Sequence, residues 1–189
     1  MNEAKKAKVV EAAQAVFFRY GFRRVTMGDL AQAAGISRPA LYLLFCNKEE
    51  VFEATLRAFS ARALGALRTG LPAQASAKDK LSFAFEVWAI QPYLLLMASP
   101  DAKELIDCSF TFAKGAIDQG YAAFEAELVT ILAPLTAKAP AQWPAPAQIA
   151  RILTRAVHGF KESATSLEDL RAMIDGLLEM TLASLERLG

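Results

Sequence analysis

The sequence predicts an all-α fold, and three observations lead to that prediction. Apolar residues recur at three- and four-residue steps along most of the chain, and no useful length alternates with the period of two that a half-buried strand requires. Capping side chains precede these segments, and glycine or proline follows several of them. With 189 residues, of which 54% are apolar, the chain can bury a sizeable core without a metal or a disulfide.

The first two helices are bounded by glycines and a threonine cap. Apolar residues recur at helical steps over 9–20 without an intervening proline or glycine, so we expect one amphipathic helix that stops at Gly21. Thr26 offers an N-cap oxygen to a short second helix, which we expect to end at Gly35.

Ser37 and Asn47 are the expected caps of the third and fourth helices. Pro39 falls in the first turn of the third helix, where a missing N–H costs nothing. The fourth helix opens with two glutamates, which are stabilising at a helix N-terminus, and its apolar face continues towards Gly70.

The remaining chain predicts further helices between proline-containing breaks. Residues 81–90 carry two apolar stripes and little polar face, which is typical of a helix inside a bundle, and Pro92 is expected to end it. Helical spacing continues over 110–135, and a Pro/Ala-rich linker follows over 137–147. Two last helices complete a total of about nine, the second of them opened by a capping box at Ser166.

Charge is unevenly placed along the chain. Residues 1–48 hold eight Lys and Arg against three Asp and Glu, a net charge of +5, which leaves −4 for the other 141 residues. A basic head on an acidic body indicates a polyanionic partner for the head alone. The alternative is that these lysines only solvate a helix.

The second and third helices carry the most specific pattern in the chain. They are separated by Gly35 and Ile36, with caps on both sides, which is the layout of a helix-turn-helix whose second helix can enter the DNA major groove. The full pattern comprises Phe17, Gly21, Thr26, Leu30, Ala31, Ala34, Gly35, Ile36, Ser37, Leu41, Tyr42, Phe45, Lys48 and Glu49. Over residues 5–52 it resembles the N-terminal domain of the tetracycline-repressor (TetR) family of bacterial transcriptional regulators.

The resemblance implies a three-helix DNA-binding domain over 1–48, joined through a linking helix to an effector-binding and dimerisation domain over 49–189. It also implies a homodimer whose two heads bind a palindromic operator in double-stranded DNA, and repression is the family expectation. The alternative is a family-like ligand-binding or protein-interaction module that does not recognise a specific operator.

Several side chains of the head are predicted to contact DNA. Thr26 with the amides of the second helix, the Tyr42 hydroxyl and Lys48 are candidate phosphate anchors, and residues at matching positions of the family commonly touch the backbone. The alternatives are a simple cap, a packing residue and a solvated charge. The predicted DNA-binding residues are Thr26, Ser37, Arg38, Pro39, Ala40, Tyr42, Leu43, Leu44 and Lys48.

A helical wheel of the third helix separates a packing face from a reading face. Leu41 and Phe45 fall together towards the first helix, whereas Pro39, Ala40 and Leu43 fall on the opposite side, flanked by Leu44. Arg38 is the long polar side chain at the leading end, and guanine O6/N7 is its natural bidentate partner. The family often has Tyr and then His where this chain has Leu43 and Leu44, and neither leucine side chain can form a hydrogen bond to a base.

The larger domain is rich in aromatic residues, which can line a cavity for a small hydrophobic or aromatic effector; the alternative is a solid core. The candidate pocket residues are Phe83, Val87, Trp88, Tyr93, Met97, Cys108, Phe112, Tyr121, Phe124 and His158. The last two helices have wide apolar faces and are the expected two-fold dimer interface. Its candidate residues are Ile152, Ala156, Gly159, Phe160, Ile174, Leu177, Leu178 and Leu185.

The composition gives little support to an enzyme. A single histidine and the lack of an HExxH, phosphate-loop or Cys/His pattern leave only a Cys108–His158 pair, so we expect no catalytic residue, no metal ligand and no cofactor. The N-terminal residues lack the apolar region of a secretory signal, the most apolar stretch is too short to cross a membrane, and two distant cysteines suit a reducing cytoplasm.

Overall fold

The computed structural model describes residues 2–99, 101, 105 and 110–186, and every regular element in this part of the chain is helical. The α-helices are α1 (Asn2–Arg24), α2 (Met27–Ala34), α3 (Arg38–Tyr42), α4 (Lys48–Gly70), α5 (Ala77–Phe85), α6 (Gln91–Met97), α7 (Lys114–Thr136), α8 (Pro146–Ser163) and α9 (Leu167–Glu186). Short 3-10 turns at Leu71–Ala73 and Thr111–Ala113 precede α5 and α7. The predicted all-α fold is confirmed.

Side-chain caps fix the starts of the later helices. The Asn47 side-chain oxygen accepts a hydrogen bond from the Glu50 amide at 2.8 Å and so opens α4 as predicted. At α9, Ser166 Oγ accepts from the Asp169 amide at 3.1 Å. The Asp169 carboxylate accepts from the Thr165 amide at 2.9 Å instead of completing the predicted box with Ser166, because it reaches back one residue further.

Gly21 interrupts α1 where the sequence predicts its end. Its φ of 72° lies in the left-handed region, and its ψ of 176° is not helical, so the helix is kinked there before a last turn that reaches Arg24. A residue with a Cβ atom is strained at that φ, which is why the kink requires glycine.

Pro92 does not end its helix, contrary to the prediction. A π-helical turn over Glu86–Ile90 joins α5 to α6, and the Gln91 amide bonds to the Glu86 carbonyl five residues earlier. Because proline has no N–H, Pro92 cannot donate a hydrogen bond to the carbonyl four residues earlier. The wider π-helical turn before it leaves Pro92 in the first turn of α6.

The chain divides into two compact units. We call Met1–Arg62 with Leu95–Gly120 the head unit and Ala63–Leu94 with Tyr121–Gly189 the body unit. The predicted functional division between residues 48 and 49 stays a prediction, since the compact units follow a different division of the chain. The fully buried large side chains of the head unit include Phe17, Leu30, Leu41 and Phe52, whereas those of the body unit include Phe85, Phe124, Leu128, Leu153 and Leu170.

The head core contains an aromatic cluster drawn from distant parts of the sequence. The Phe52 ring lies 5.0 Å from the ring of Phe17 and 5.0 Å from that of Phe22, measured between centroids. Phe110 and Phe112 complete the cluster, at 5.4 Å and 6.0 Å from Phe52. These contacts hold α1 and the start of α4 in place and therefore position the elements between them.

Within the described ranges, no helix combines the length and the apolar character that a membrane crossing requires.

Candidate nucleic-acid interface

The helix-turn-helix is built from local hydrogen bonds that the sequence predicts. The Asp29 amide donates to Thr26 Oγ1 at 3.3 Å and the Thr26 amide donates to the Asp29 carboxylate at 2.8 Å, which forms a capping box at the start of α2. The Thr26 hydroxyl also donates to the Asp29 carboxylate, at 2.7 Å, and this bond, followed by that from the Thr26 amide, holds the pKa of Asp29 below its usual value. Gly35 closes α2 in the left-handed conformation, with φ 66°.

The α3 helix is short, and one face of it is buried as predicted. Ser37 Oγ accepts from the Ala40 amide at 3.3 Å and begins the helix. Leu41 and Phe45 are buried in the head core. The Phe45 amide donates to the Leu41 carbonyl at 3.0 Å, which keeps the two side chains on the same side after regular helix ends at Tyr42.

The opposite face of α3 is open to solvent. Arg38, Pro39 and Tyr42 are exposed, Ala40 is half-buried, and Leu43 is 84% exposed. Exposure of that extent leaves nearly the whole Leu43 side chain available to a partner, and it removes the alternative that this leucine belongs to the core.

Leu44 is placed differently from its neighbour. It is half-buried and packs against the head core. The helix wheel placed it beside the exposed face, but the chain leaves the helix after Tyr42, and the Leu44 amide bonds to the Leu41 carbonyl three residues earlier at 2.9 Å. That tighter turn rotates the Leu44 side chain inwards. The prediction that Leu44 flanks the exposed face of α3 is therefore wrong.

Arg38 and Tyr42 lie side by side on the exposed face. The Arg38 guanidinium carbon is 5.7 Å from the centroid of the Tyr42 ring, and Nη2 donates to the Tyr42 hydroxyl at 3.5 Å. The ring therefore supports the guanidinium at the leading end of α3, where a base edge or a phosphate can be reached.

Lys48 has a structural role that the sequence does not reveal. Its Nζ donates to the carbonyl oxygens of Phe22 and Arg23, at 2.9 Å and 3.4 Å, and lies 4.2 Å from the centroid of the Phe22 ring. Carbonyls at the end of a helix lack intrahelical partners, and Lys48 satisfies two of them after the Gly21 kink. An ammonium has three donors, so one remains for the predicted phosphate contact.

We expect Lys48→Ala to lower the free energy of unfolding by about 1–3 kcal/mol, because it removes a charged donor from two carbonyls at the end of α1. Urea denaturation followed by circular dichroism measures the loss. Lys5→Ala is the matched control, since Lys5 is exposed. Equal stability of the two variants would contradict the structural role of Lys48.

The predicted effector residues fall in both compact units. Trp88 stacks on Phe124 in the body unit, with ring centroids 4.6 Å apart and planes 3° apart. Val87, Tyr93 and Tyr121 are buried, and Phe83 and His158 half-buried. Met97 and Phe112 belong to the head unit, where Phe112 packs on Phe22 and Met97 is exposed, and Cys108 lies outside the described residues.

His158 forms a polar contact at this aromatic cluster. Its Nδ1 lies 3.0 Å from the Tyr121 hydroxyl. Burial, followed by the positive charge of Lys161, holds the pKa of His158 below its ordinary value, so the imidazole is neutral at pH 7. The Tyr121–His158 pair can therefore offer both a donor and an acceptor to a polar group of a bound molecule.

The body unit has a cavity of about 310 Å³, and of its lining residues the sequence predicts Phe83 as a pocket residue. It contains a bidentate ion pair, in which Arg171 bonds to the two carboxylate oxygens of Glu86 at 2.6 Å and 3.1 Å. Its lining residues are Gln74, Asp79, Ser82, Phe83, Phe85, Glu86, Ile90, Arg171, Ile174 and Asp175. Three of these residues lie on α9, which only tertiary structure brings to α5, so no local sequence pattern indicates the cavity.

The predicted dimer residues separate into two groups. Ile174, Leu178 and Leu185 are buried within the chain, so their side chains cannot serve as a surface for a second copy. Ile152 and Gly159 are exposed, and Ala156, Phe160 and Leu177 are half-buried. Met180, which is 66% exposed, follows Leu177 by three residues on α9 and extends this apolar surface.

No metal site is evident in the part of the chain that the structure describes. There, no three or more His, Cys, Asp or Glu side chains are grouped so that they could hold an ion. Cys46 is exposed at the turn before α4, and its backbone amide donates to the Glu50 carboxylate at 2.6 Å.

Comparison with known proteins gives independent information on residues 9–55, which match the family model described as "Bacterial regulatory proteins, tetR family". The chain is 41% identical over 51 residues to the HTH-type transcriptional regulator TtgR of Pseudomonas putida, covering 27% of this chain and 24% of that protein. It is 38% identical over 56 residues to the HTH-type transcriptional repressor KstR2 of Mycobacterium tuberculosis, covering 30% and 28%. The chain thus spans about a quarter of the length of these curated relatives.

Similarity of fold extends over more of the chain. A crystal structure of a transcriptional regulator from Cytophaga hutchinsonii superimposes with a TM-score of 0.74 at 20% sequence identity, covering 93% of this chain and 95% of that one.

Proposed function

Because residues 9–55 make this chain a member of the tetR family of bacterial regulatory proteins, we propose that it is a ligand-responsive repressor that binds a palindromic operator as a homodimer. This is a family of DNA-binding regulators and not of enzymes. The name of the KstR2 relative, a transcriptional repressor, supports the sign of regulation. Because the proposed partner is operator DNA, we propose that the protein acts in the bacterial cytoplasm.

The exposed face of α3 is the observation that carries this proposal. Arg38, at its leading end, is supported by Tyr42, and Leu43 is almost fully exposed. A thymine methyl in the major groove is a suitable apolar partner for a leucine exposed to this extent. In this proposal Arg38 reads guanine, and Leu43 with Ala40 reads thymine methyls.

Phosphate contacts hold the reading face in register. The Thr26 hydroxyl with the amides at the start of α2, the Tyr42 hydroxyl and the third donor of Lys48 are the proposed anchors. Thr26 is exposed while it caps α2, so the cap and a phosphate contact are compatible.

We expect Leu43→Ala to remove the preference for thymine over uracil at one position of each half-site. Uracil lacks the methyl group of thymine, and one buried CH2-sized contact is worth about 0.8 kcal/mol. Binding to operators that carry deoxyuridine at single positions measures the preference for wild type and variant. Leu44→Ala is the matched control, since Leu44 packs inwards; a variant of Leu43 that keeps the methyl preference would contradict the contact.

The dimer surface is proposed on α8 and α9. Ile152, Ala156, Gly159 and Phe160 lie at helical spacing on α8, and Leu177 with Met180 lies on α9. Two copies of this surface would form a four-helix interface with two-fold symmetry. Equilibrium sedimentation at micromolar concentration tests it, and a purely monomeric species would refute it.

The effector is proposed to be a small hydrophobic or aromatic molecule. Two places in the body unit suit it: the aromatic cluster beside His158, and the cavity beside the Glu86–Arg171 ion pair. An effector shifts the protein only through different affinities for its two states. A thermal-shift screen with Trp88→Ala and Arg171→Ala in parallel assigns a stabilising compound to one place or the other.

Nuclease protection of the DNA beside its own gene tests the proposed function as a whole. We expect the protein to protect an inverted repeat, with half-sites about one helical turn or a multiple of it apart. A protein that binds effector and dimerises but protects no sequence would favour the alternative, a ligand-binding module without specific operator recognition.

A further inference from the structure

The first turns of α1 carry a group of lysines beside the helix-turn-helix. Lys5, Lys6 and Lys8 fall within seven residues that contain one acidic residue, Glu3. Lys5 and Lys8 are exposed. Among the residues that the structure describes, these three lysines form no ion pair with a carboxylate.

Two of these lysines are located by their contacts. Lys6 is half-buried, and its Nζ lies 5.7 Å from the centroid of the Phe45 ring, so it covers the packing side of the segment after α3. Lys8 Nζ lies 3.9 Å from the position that a Cβ atom would occupy at Gly35. The Lys8 ammonium is therefore at the turn between α2 and α3, directly before Ser37 and Arg38.

The predicted phosphate anchor Lys48 already donates to two carbonyl oxygens of α1. Among the described residues, Lys8 forms no ion pair, and its exposed ammonium can reach an external group. When a helix such as α3 lies in the major groove, phosphates border it along both sides. A cation at the turn before α3 is near one of these borders.

We propose that Lys8 binds a DNA phosphate at the α2–α3 turn and adds a contact to each half-site that the helix-turn-helix pattern alone does not include. This inference rests on the proposed function, since it requires that α3 enters DNA. The Lys8 ammonium reads no sequence; it neutralises one phosphate, fixes the leading end of α3 against the backbone and contributes to counterion release.

The salt dependence of operator binding tests the contact. Lys8→Gln is expected to reduce the slope of log K against log salt by about 0.9 per head, or about 1.8 for a dimer on both half-sites. Between 50 and 200 mM salt that corresponds to a roughly 3.5-fold smaller loss of affinity per head. Lys8→Arg should restore the wild-type slope, and Lys138→Gln, an exposed lysine of the body unit, should leave it unchanged.

The outcomes separate this contact from the proposed function. A wild-type protein that binds no operator would overturn the proposed function and this contact with it. A wild-type protein that binds, with an unchanged slope for Lys8→Gln, would overturn the Lys8 contact alone. If that variant also melted at a lower temperature, Lys8 would be assigned to the C-terminal end of α2, where a cation is stabilising.

Discussion

Arg38→Ala is expected to weaken operator binding by about 1–3 kcal/mol per half-site and to relax the preference at one base pair. The guanidinium carbon lies at the leading end of α3, 5.7 Å from the centroid of the Tyr42 ring, and the substitution removes the proposed bidentate contact to guanine. Fluorescence anisotropy with the wild-type operator and with single-base variants measures both effects. The expected loss of affinity is roughly 5- to 140-fold per half-site.

A matched variant separates readout from simple charge loss. Arg62→Ala removes the same charge from the head unit at an exposed position about 21 Å along α4 from Lys48. It should lower affinity only slightly and for all sequences alike. Unchanged preference in Arg38→Ala, or equal losses in the two variants, would contradict base readout by Arg38.

Phe52→Ala is expected to destabilise the head unit by about 3–5 kcal/mol, because it leaves a cavity inside an aromatic cluster. The side chain is 2% exposed and touches the rings of Phe17, Phe22, Phe110 and Phe112. Urea denaturation followed by circular dichroism measures the loss.

Phe59→Ala provides the comparison for this deletion. Phe59 is half-buried, and its ring packs on Phe18 at 5.1 Å, outside the cluster. We expect a clearly smaller loss of stability there. A loss below about 1 kcal/mol for Phe52→Ala would show that the cluster does not organise the head core.

Local chemistry explains what the sequence could predict. The Thr26 and Ser37 caps and the Gly35 turn depend on residues at most five positions apart, so they are visible in the sequence and appear in the structure. The same holds for the burial of Leu41 and Phe45, which follows from helical spacing.

Long-range packing accounts for the parts that could not be predicted. Lys48 bonds to carbonyls 25 and 26 residues earlier, and α9 supplies Arg171 to a cavity beside α5. The inward turn of Leu44 has a local cause, since α3 ends at Tyr42, two residues before Leu44. Aromatic composition likewise could not separate Phe112, in the head core, from Trp88, in the body unit.

Selection from a random pool of double-stranded DNA tests most directly whether the exposed face of α3 reads sequence. The wild-type protein should enrich an inverted repeat in which each half-site contains a fixed guanine and a neighbouring thymine. Arg38→Ala should lose the guanine and Leu43→Ala the thymine, with the rest of the repeat retained. Enrichment of no motif by the wild-type protein, or of the same motif by all three proteins, would contradict the account.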